Sequence, residues 1–536
     1  MLFPVASWAC TNILVTKGAS ATGSTMISYA ADSHTLYGEL YHWPAATYAP
    51  GTMLQINEWD TNKPLGEIAQ ARETYNVVGN MNEFQVAIGE TTYGGRHELV
   101  DTTGIMDYGS LIYVTLQRAK TARGAIKIMT DLVAEYGYYS SGESFSIADP
   151  SEVWILEMIG KGGKEKGAVW VAQRIPDGYV SGHANQARIT TIDFKDKENF
   201  IYSKDVVSFA EEMGYFSGKK KDFSFSDVYA PLDFGGQRFC EARVWAFYNI
   251  VNPEEAAQYL DYAMGYADNR MPLYFKAKNK LTHRDVQNVM RDHYENTPMD
   301  MSKDAGAGAY QLPYRWRGLT WEVDSVTYCN ERAIATQQTG FSFVAEMRDW
   351  MPQGLGVIWF GLDDAATSVY MPMYTGITEI PNSVKVGNGD MMNFSWTSNF
   401  WMFNWVANQA YAKYSYMIKD ILPLQKELED SFDKEQKEVE AKALALMKDD
   451  KKEAIALLNT YSDKQAEKTL QTWKDLGIYL MVKYMDGNVK KEENGQFKKT
   501  QYGLQAFPDQ PGYSDRTYRE IVKDNGEVLK VIGDAH

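Results

Sequence analysis

Apolar and polar positions alternate in short runs over the first hundred residues, with Gly, Ser and Asn between the runs. The segments 12–17, 24–31 and 84–90 have the pattern of buried or half-buried β-strands. Residues 109–137 carry apolar positions at helical spacing and end in a glycine, which predicts two helices. Strand-like runs return over 319–376. Strands, then helices, then strands predict an α+β fold with much antiparallel sheet.

The pattern changes after residue 404, where Ala, Leu, Lys and Glu dominate and opposite charges recur four residues apart. This predicts long helices over 404–486 that pack back on the main domain at 10–403. A polar tail follows at 487–536, and a short apolar leader precedes the domain at 1–9. The heptads are not sustained, which disfavours a coiled-coil dimer arm and leaves homo-oligomerisation open.

Composition excludes several classes of function. The 536-residue chain has a net charge of −16, which disfavours nucleic-acid partners because phosphate binding needs clustered Lys and Arg. There is no apolar run of about 18 residues, so no membrane span is predicted. Three cysteines, at 10, 240 and 329, are too few for a disulfide scaffold, and the sequence leaves open whether Cys240 and Cys329 pair.

The leader ends Ser7-Trp8-Ala9, the small-x-small pattern that a signal peptidase recognises. Removal of the leader makes Cys10 the N-terminus, where one residue carries both a nucleophilic sulfur and a free α-amine as base. We therefore expect a secreted or periplasmic bacterial protein. The alternatives are a buried structural cysteine, an acylated lipoprotein cysteine, and a chain that keeps its leader.

Other catalytic arrangements have weak support in the sequence. The seven histidines form no HExxH motif and no pair four residues apart, so no metal is expected. The GxSxG motif of a serine nucleophile is also absent, as is GxGxxG. Cys10 is thus the best nucleophile, and its chemistry requires no cofactor.

Several blocks then resemble one family, in the right order along the chain. They are 10–34 (CTNILVTKGASATGSTMISYAADSH), 81–92 (MNEFQVAIGETT), 180–189 (VSGHANQARI), 292–302 (DHYENTPMDMS), 312–324 (LPYRWRGLTWEVD), 330–348 (NERAIATQQTGFSFVAEMR) and 359–376 (WFGLDDAATSVYMPMYTG). Over residues 10–410 the chain resembles the C69 dipeptidases, relatives of choloylglycine hydrolase and penicillin V acylase.

The resemblance implies a four-layer αββα sandwich of N-terminal-nucleophile hydrolase type and hydrolysis of short peptides through a thioester on Cys10. It also implies that Asp32 hydrogen-bonds the Cys10 amine or the substrate, and that Asn185 donates to the oxyanion. Related enzymes often carry an arginine where this chain has Tyr29. That difference argues against a bile-salt substrate, and we expect Tyr29 to contact the substrate.

Further residues are expected at the substrate. Alternation along 82–90 places Asn82 and Glu90 on one mostly apolar face, and Thr91 follows. An acid there suits a substrate ammonium, with a surface salt bridge as the alternative. Arg188 either binds the substrate carboxylate or pairs with a structural acid.

A polar segment between two strand-like runs contains Thr336 and Gln337. These side chains contact substrate or cap the backbone. Two rivals to a dipeptidase remain at this point. One is an N-acyl amidohydrolase of choloylglycine or penicillin acylase type on the same fold, and the other is a non-catalytic surface lipoprotein acylated at Cys10.

Overall fold

The structure is a computed structural model that describes residues 10–533. The predicted leader at 1–9, with its cleavage site, lies outside the described residues, as do positions 534–536 of the predicted tail.

An antiparallel seven-stranded sheet carries the start of the described chain. In spatial order its strands are Tyr274–Phe275, Val180–His183, Asn12–Val15, Thr25–Asp32, Thr339–Met347, Val357–Leu362 and Met371–Tyr374. Cys10 stands directly before the strand Asn12–Val15, and Thr11 exchanges backbone hydrogen bonds with Ala30. The first long apolar runs of the sequence are therefore inner strands, buried at every position.

A second antiparallel sheet has eight strands. In spatial order they are Phe200–Tyr202, Ala168–Arg174, Val153–Gly160, Gly142–Ala148, Ala87–Gly94, Met81–Asn82, Val77–Val78 and His42–Trp43. The helices Tyr108–Leu116 and Ala122–Tyr136 pack against it and confirm the two-helix prediction. Gly137 ends the second helix at φ 81°, a left-handed conformation that glycine adopts at little cost.

The two sheets contact each other closely beside Cys10. Gly89 is required at this point, because a Cβ there would lie 2.7 Å from the end of the Asn12 side-chain amide and 3.1 Å from Cβ of Tyr29. The Asn12 side-chain amide also hydrogen-bonds the hydroxyl of Ser146 across the interface, at 3.1 Å. This close approach brings Glu90, the next residue, up to the first strands of the chain.

Long helices follow the last sheet strand, as the sequence predicts, although they begin at Asn399 rather than at 404. They are Asn399–Ala412, Tyr414–Asp449 and Lys451–Tyr484, and they pack on the strands Val357–Leu362 and Met371–Tyr374. A buried ion pair of 2.8 Å between Arg348 and Glu440 joins this helical region to the sheet. The domain boundaries themselves stay predictions.

The remaining elements are short. The helices are Ser208–Glu212, Phe225–Tyr229, Ala242–Val251, Pro253–Ala256, Leu260–Ala263, His283–Val289 and Asp515–Asn525, with a π-helical turn at Gly236–Glu241. Small antiparallel pairs are Ala46–Thr47 with Glu73–Thr74, Met53–Asn57 with Pro64–Ala69, Thr320–Val323 with Val326–Cys329, and Glu492–Glu493 with Gln496–Phe497. No helix in the described part of the chain is long and apolar enough to cross a membrane. The fold is mixed α and β, as expected.

Candidate active site

Cys10 lies at the bottom of a cleft of about 70 Å³ between the two sheets. Its residue is only 3% exposed, and its sulfur lies 3.8 Å from the Tyr29 hydroxyl and 3.6 Å from Oε1 of Glu90. Asp32 and Asp60 also line the cleft. The structure thus brings together four residues that the sequence proposed for the site, namely Cys10, Tyr29, Asp32 and Glu90.

The surroundings of the sulfur favour the neutral thiol. Burial, together with the negative charges of Glu90 and Asp32, raises the pKa of the Cys10 thiol well above its ordinary value. The backbone N–H of Asp32 and the hydroxyl of Tyr29 oppose this rise in pKa, because both stabilise a thiolate. The sulfur therefore needs a nearby base before it can act as a nucleophile.

Asp32 ends the strand Thr25–Asp32 and is held from two sides. Nη2 of Arg332 donates to its carboxylate at 2.5 Å, and the Thr339 hydroxyl donates at 2.6 Å. Burial still raises the pKa of Asp32, although Arg332 and Thr339 oppose it. The carboxylate is thus a fixed group on one wall of the cleft.

Arg243 reaches Cys10 from the helix Ala242–Val251. Its Nη1 donates to the carbonyl oxygen of Cys10 at 2.6 Å and to the Thr11 hydroxyl at 2.8 Å, while Nη2 donates to Oδ1 of Asn185 at 2.9 Å. Burial and the charge of Arg332 lower the pKa of Arg243. This guanidinium fixes the main chain of the candidate nucleophile.

Asn185 lies in the turn after the strand Val180–His183, with a left-handed backbone at φ 59°. Its Oδ1 accepts from Arg243, and its Nδ2 donates to the Thr92 carbonyl in the other sheet at 2.7 Å. Because an amide nitrogen carries two hydrogens, this bond uses one of them. These two hydrogen bonds fix the orientation of the Asn185 side chain, and Arg243 links it to the main chain of Cys10.

Glu90 faces a second acid, Glu143. The Tyr29 hydroxyl donates to Oε1 of Glu90, and the Thr92 hydroxyl donates to Oε2 of Glu143 at 3.0 Å. Oε2 of Glu90 and Oε1 of Glu143 are both buried with no donor in hydrogen-bonding distance within residues 10–533. Burial and the charge of Glu90 raise the pKa of Glu143 well above its ordinary value.

Five predicted substrate residues lie outside the lining of this cleft, as does Asn185. Asn82 donates to the carbonyls of Leu116 and Ala119, both at 2.7 Å, and Thr91 bonds Nδ1 of His183 at 2.7 Å. Arg188 forms a buried ion pair of 2.8 Å with Glu241. It also donates to the carbonyls of Gly182, Pro272 and Leu273. The structure therefore agrees with the second interpretation of Arg188, in which it pairs with a structural acid.

The predicted strand alternation over residues 82–90 is wrong for residues 82–86. Residues 82–86 form a tight turn instead of a strand, because Oδ1 of Asn82 accepts from the backbone N–H groups of Phe84 and Val86. Gln85 has φ 63° at the turn. The strand begins only at Ala87.

Thr336 and Gln337 line a separate small pocket together with Arg315, Arg317 and Arg332, which we call the arginine pocket. It adjoins the cleft through the ion pair of Arg332 with Asp32. Nη2 of Arg317 donates to Gln338, whereas its Nη1 is buried with no acceptor in range in the described chain. Burial and the neighbouring charge of Arg332 lower the pKa of Arg317 to about 10.

Two further observations concern other chemistries. All three cysteines are free thiols, so Cys240 and Cys329 are not paired. Within residues 10–533, no group of three or more His, Cys, Asp or Glu side chains is arranged to hold a metal ion.

The model of peptidase family C69 matches residues 9–427, which is most of the chain and includes both sheets. The chain belongs to peptidase family C69. A probable dipeptidase of Latilactobacillus sakei is 26% identical over 397 residues, covering 70% of this chain and 76% of the relative. A probable dipeptidase of Salmonella dublin is 26% identical over 400 residues, covering 69% and 81%. Dipeptidase A of Lactobacillus helveticus is 24% identical over 398 residues, covering 70% and 77%.

Sequence reasoning missed five charged residues in or around the cleft of this C69 peptidase, namely Asp60, Glu143, Arg243, Arg317 and Arg332. Arg317 and Arg332 both lie in blocks that carry the family resemblance, at 312–324 and 330–348. Their positions within those blocks were the available signal. Arg243 lies in no such block, and only the fold brings it to Cys10.

Proposed function

We propose that this peptidase is a dipeptidase whose nucleophile is the sulfur of Cys10, freed at its amine by removal of residues 1–9. The observation that supports this most is the placement of charge around the sulfur. Glu90 lies 3.6 Å from the sulfur and close to Glu143, while Arg332 pairs with Asp32 in the cleft and shares the arginine pocket with Arg317. A dipeptide has an ammonium at one end and a carboxylate at the other, which fits this arrangement.

In the proposed reaction the Cys10 amine is the base. Its ordinary pKa of about 7.7–8.0 lets it accept the thiol proton near neutral pH. The sulfur then attacks the scissile carbonyl carbon, and the carbonyl electron pair moves onto oxygen. The ammonium of Cys10 returns the proton to the leaving nitrogen as the C–N bond breaks. Water next attacks the thioester carbonyl carbon and gives a proton to the amine. The C–S bond then breaks, the acid product leaves, and the ammonium returns its proton to the Cys10 sulfur.

Three residues assist this chemistry in the proposal. The second N–H of Asn185 donates to the oxyanion, a role in which one donor is worth roughly 10²–10³ in rate. Arg243 orients Asn185 and the main chain of Cys10. Asp32 accepts from the new ammonium, since its backbone N–H already faces the sulfur.

In this proposal, recognition of both charged termini of the substrate makes the enzyme an exopeptidase. Glu90 binds the substrate ammonium, because its Oε1 lies 3.6 Å from the Cys10 sulfur and its Oε2 is buried without a donor in the described chain. Nη1 of Arg317, which is buried without an acceptor there, binds the substrate carboxylate. This replaces the sequence-based candidate Arg188, whose N–H groups are already occupied.

We also propose that the two sheets and the helices on their outer sides form a four-layer αββα sandwich of the N-terminal-nucleophile type. In addition, we propose that the protein is exported, on the basis of the small-x-small pattern at residues 7–9. The helices that contact each sheet support the first proposal.

The decisive experiment determines the N-terminus of the active enzyme by intact mass and sequencing. We expect Cys10 to be the first residue and the Cys10→Ala variant to hydrolyse no dipeptide. Cys329→Ala is the matched control and should keep full activity, because Cys329 lies on a small hairpin away from the cleft. Full activity with residues 1–9 attached, or an acylated Cys10, contradicts the mechanism. Faster cleavage of N-acetylated dipeptides contradicts the substrate class and favours an amidohydrolase.

A further inference from the structure

A second cavity of about 370 Å³ adjoins the cleft of Cys10 and shares Asp60 and Tyr108 with it. Four of its lining residues are acids, and we call it the acidic cavity; they are Glu58, Asp60, Asp107 and Glu143. Its other lining residues are neutral, among them the hydroxyl-bearing Thr92, Ser140 and Tyr139. The volume lies within the range of about 300–1,000 Å³ that is common for small-molecule sites.

The acids differ in how fully they are already hydrogen-bonded. Asp107 caps the helix Tyr108–Leu116 through the Ser110 N–H and also accepts from the Trp59 N–H. Asp60, at the mouth, accepts from the Tyr108 hydroxyl at 2.7 Å. Glu143 is fully buried, and its Oε1 has no donor within residues 10–533 although the residue lines the cavity.

Fixed positive charge is scarce around this space. No Lys or Arg is among the described residues that line the cavity. Lys63 lies near it, and its ammonium donates to the Tyr139 hydroxyl at 3.3 Å. A buried carboxylate oxygen without a donor is costly, and an entering cation with several N–H donors would satisfy it.

We propose that the acidic cavity binds the cationic side chain of the first residue of the dipeptide, so that the enzyme prefers N-terminal Lys or Arg. This rests on the proposed function. Glu90 connects the two sites, since it lies against both the Cys10 sulfur and Glu143. When Glu90 binds the substrate α-ammonium, the side chain of that same residue is the substrate group nearest to Glu143.

The test compares kcat/KM for four substrates of the mature enzyme: Lys-Ala, norleucyl-Ala, Ala-Lys and Ala-norleucine. Norleucine has the straight chain of lysine without the ammonium. We expect Lys-Ala to exceed norleucyl-Ala by about tenfold or more, as one charge-assisted hydrogen bond would produce. Ala-Lys, with its cation on the leaving residue, should gain nothing over Ala-norleucine. Equal rates for Lys-Ala and norleucyl-Ala overturn the proposal, and so does an effect of EDTA on the ratio, which would indicate a metal ion in the cavity.

Variants of the cavity residues test which of them cause the preference for Lys-Ala. In Glu143→Gln the ratio of Lys-Ala to norleucyl-Ala should fall to within about twofold. Glu58→Gln, on the cavity wall, is a second test if Glu143→Gln fails to fold. It should also lower the ratio of kcat/KM for Lys-Ala to that for norleucyl-Ala. Glu67→Gln is the matched control, because Glu67 is exposed on the neighbouring strand Pro64–Ala69 and does not line the cavity. An unchanged ratio in both cavity variants overturns the assignment. Failure to cleave any dipeptide would instead refute the proposed function.

Discussion

The two sides of the Cys10 sulfur deal with buried charge in opposite ways. On the arginine side, the carboxylate of Asp32 is neutralised inside the protein by Arg332, and Thr339 completes its hydrogen bonds. On the acidic side, Glu90 and Glu143 face each other with oxygens that lack a donor in the described chain. The Asp32 carboxylate is thus already paired inside the protein, whereas in the proposed function the acidic side is paired by a cation of the substrate.

This difference separates structure from recognition. In the proposed function, the paired charges beside the cleft hold the fold, while the unpaired oxygens of Glu90 and Glu143 bind the substrate. Arg317 is the exception on the arginine side, because Nη1 has no acceptor there. The comparison therefore predicts which substitutions cost folding free energy and which cost substrate binding.

The largest effect is expected from Arg332→Met. It leaves the buried Asp32 carboxylate without its cation, which should lower the free energy of unfolding by roughly 3–5 kcal/mol. Chemical denaturation of the variant measures this loss, and adding Asp32→Asn should restore part of the stability. Arg315→Met is the matched control, because Arg315 pairs with the exposed Asp304 and its loss should cost about 0–1 kcal/mol. A single variant as stable as the wild type would show that the arginine side is not stabilised by this pair.

A smaller effect, on binding alone, is expected from Arg317→Met. Loss of the proposed carboxylate donor should lower kcat/KM for Ala-Ala by about 10- to 100-fold and leave Ala-Ala amide nearly unaffected. Steady-state kinetics on both substrates measure the change, and Arg315→Met again serves as control from the same pocket. An equal loss on the amide would mean that Arg317 acts on the fold and not on the substrate carboxylate.

The smallest effect is expected from Glu90→Gln, and it concerns the pKa of the Cys10 thiol. Burial remains the main cause of the raised thiol pKa, but the variant removes a negative charge that also raises it. The pKa of Cys10 should therefore fall, and the pH midpoint of its alkylation by iodoacetamide should move to lower pH. Glu67→Gln, with its exposed side chain, should leave the midpoint in place. A midpoint that moves upward would place the charge of Glu90 away from the sulfur.

The sequence predicted the residues whose neighbours lie close along the chain or on adjoining strands. Asp32 follows a clear apolar run, and Glu90 interrupts one, so both stand out. Arg243 does not, because its role depends on a helix that packs across the strand of Cys10. Alternation also failed at Asn82, where a side chain that caps backbone N–H groups turns the chain before the strand begins.

The fold was predictable from the sequence to a similar extent. Apolar runs and helical spacing located the inner strands Asn12–Val15 and Thr25–Asp32, the sheet strands within 319–376 and the C-terminal helices, because burial on one face imposes these periods. The order of the strands was not predictable, since it depends on contacts between segments hundreds of residues apart, such as Thr339–Met347 against Thr25–Asp32. The charged residues of the cleft depend on that order, which is why they were found only partly.

The hydrogen bonds from Arg243 to the carbonyl of Cys10 and to the Thr11 hydroxyl have a consequence for maturation. Both anchor points lie on the C-terminal side of the Cys10 α-carbon, as does the backbone pairing of Thr11 with Ala30. Scission of the bond between Ala9 and Cys10 would remove none of them. In the proposed maturation the new chain end would consequently stay anchored, with its sulfur held where it lies before cleavage.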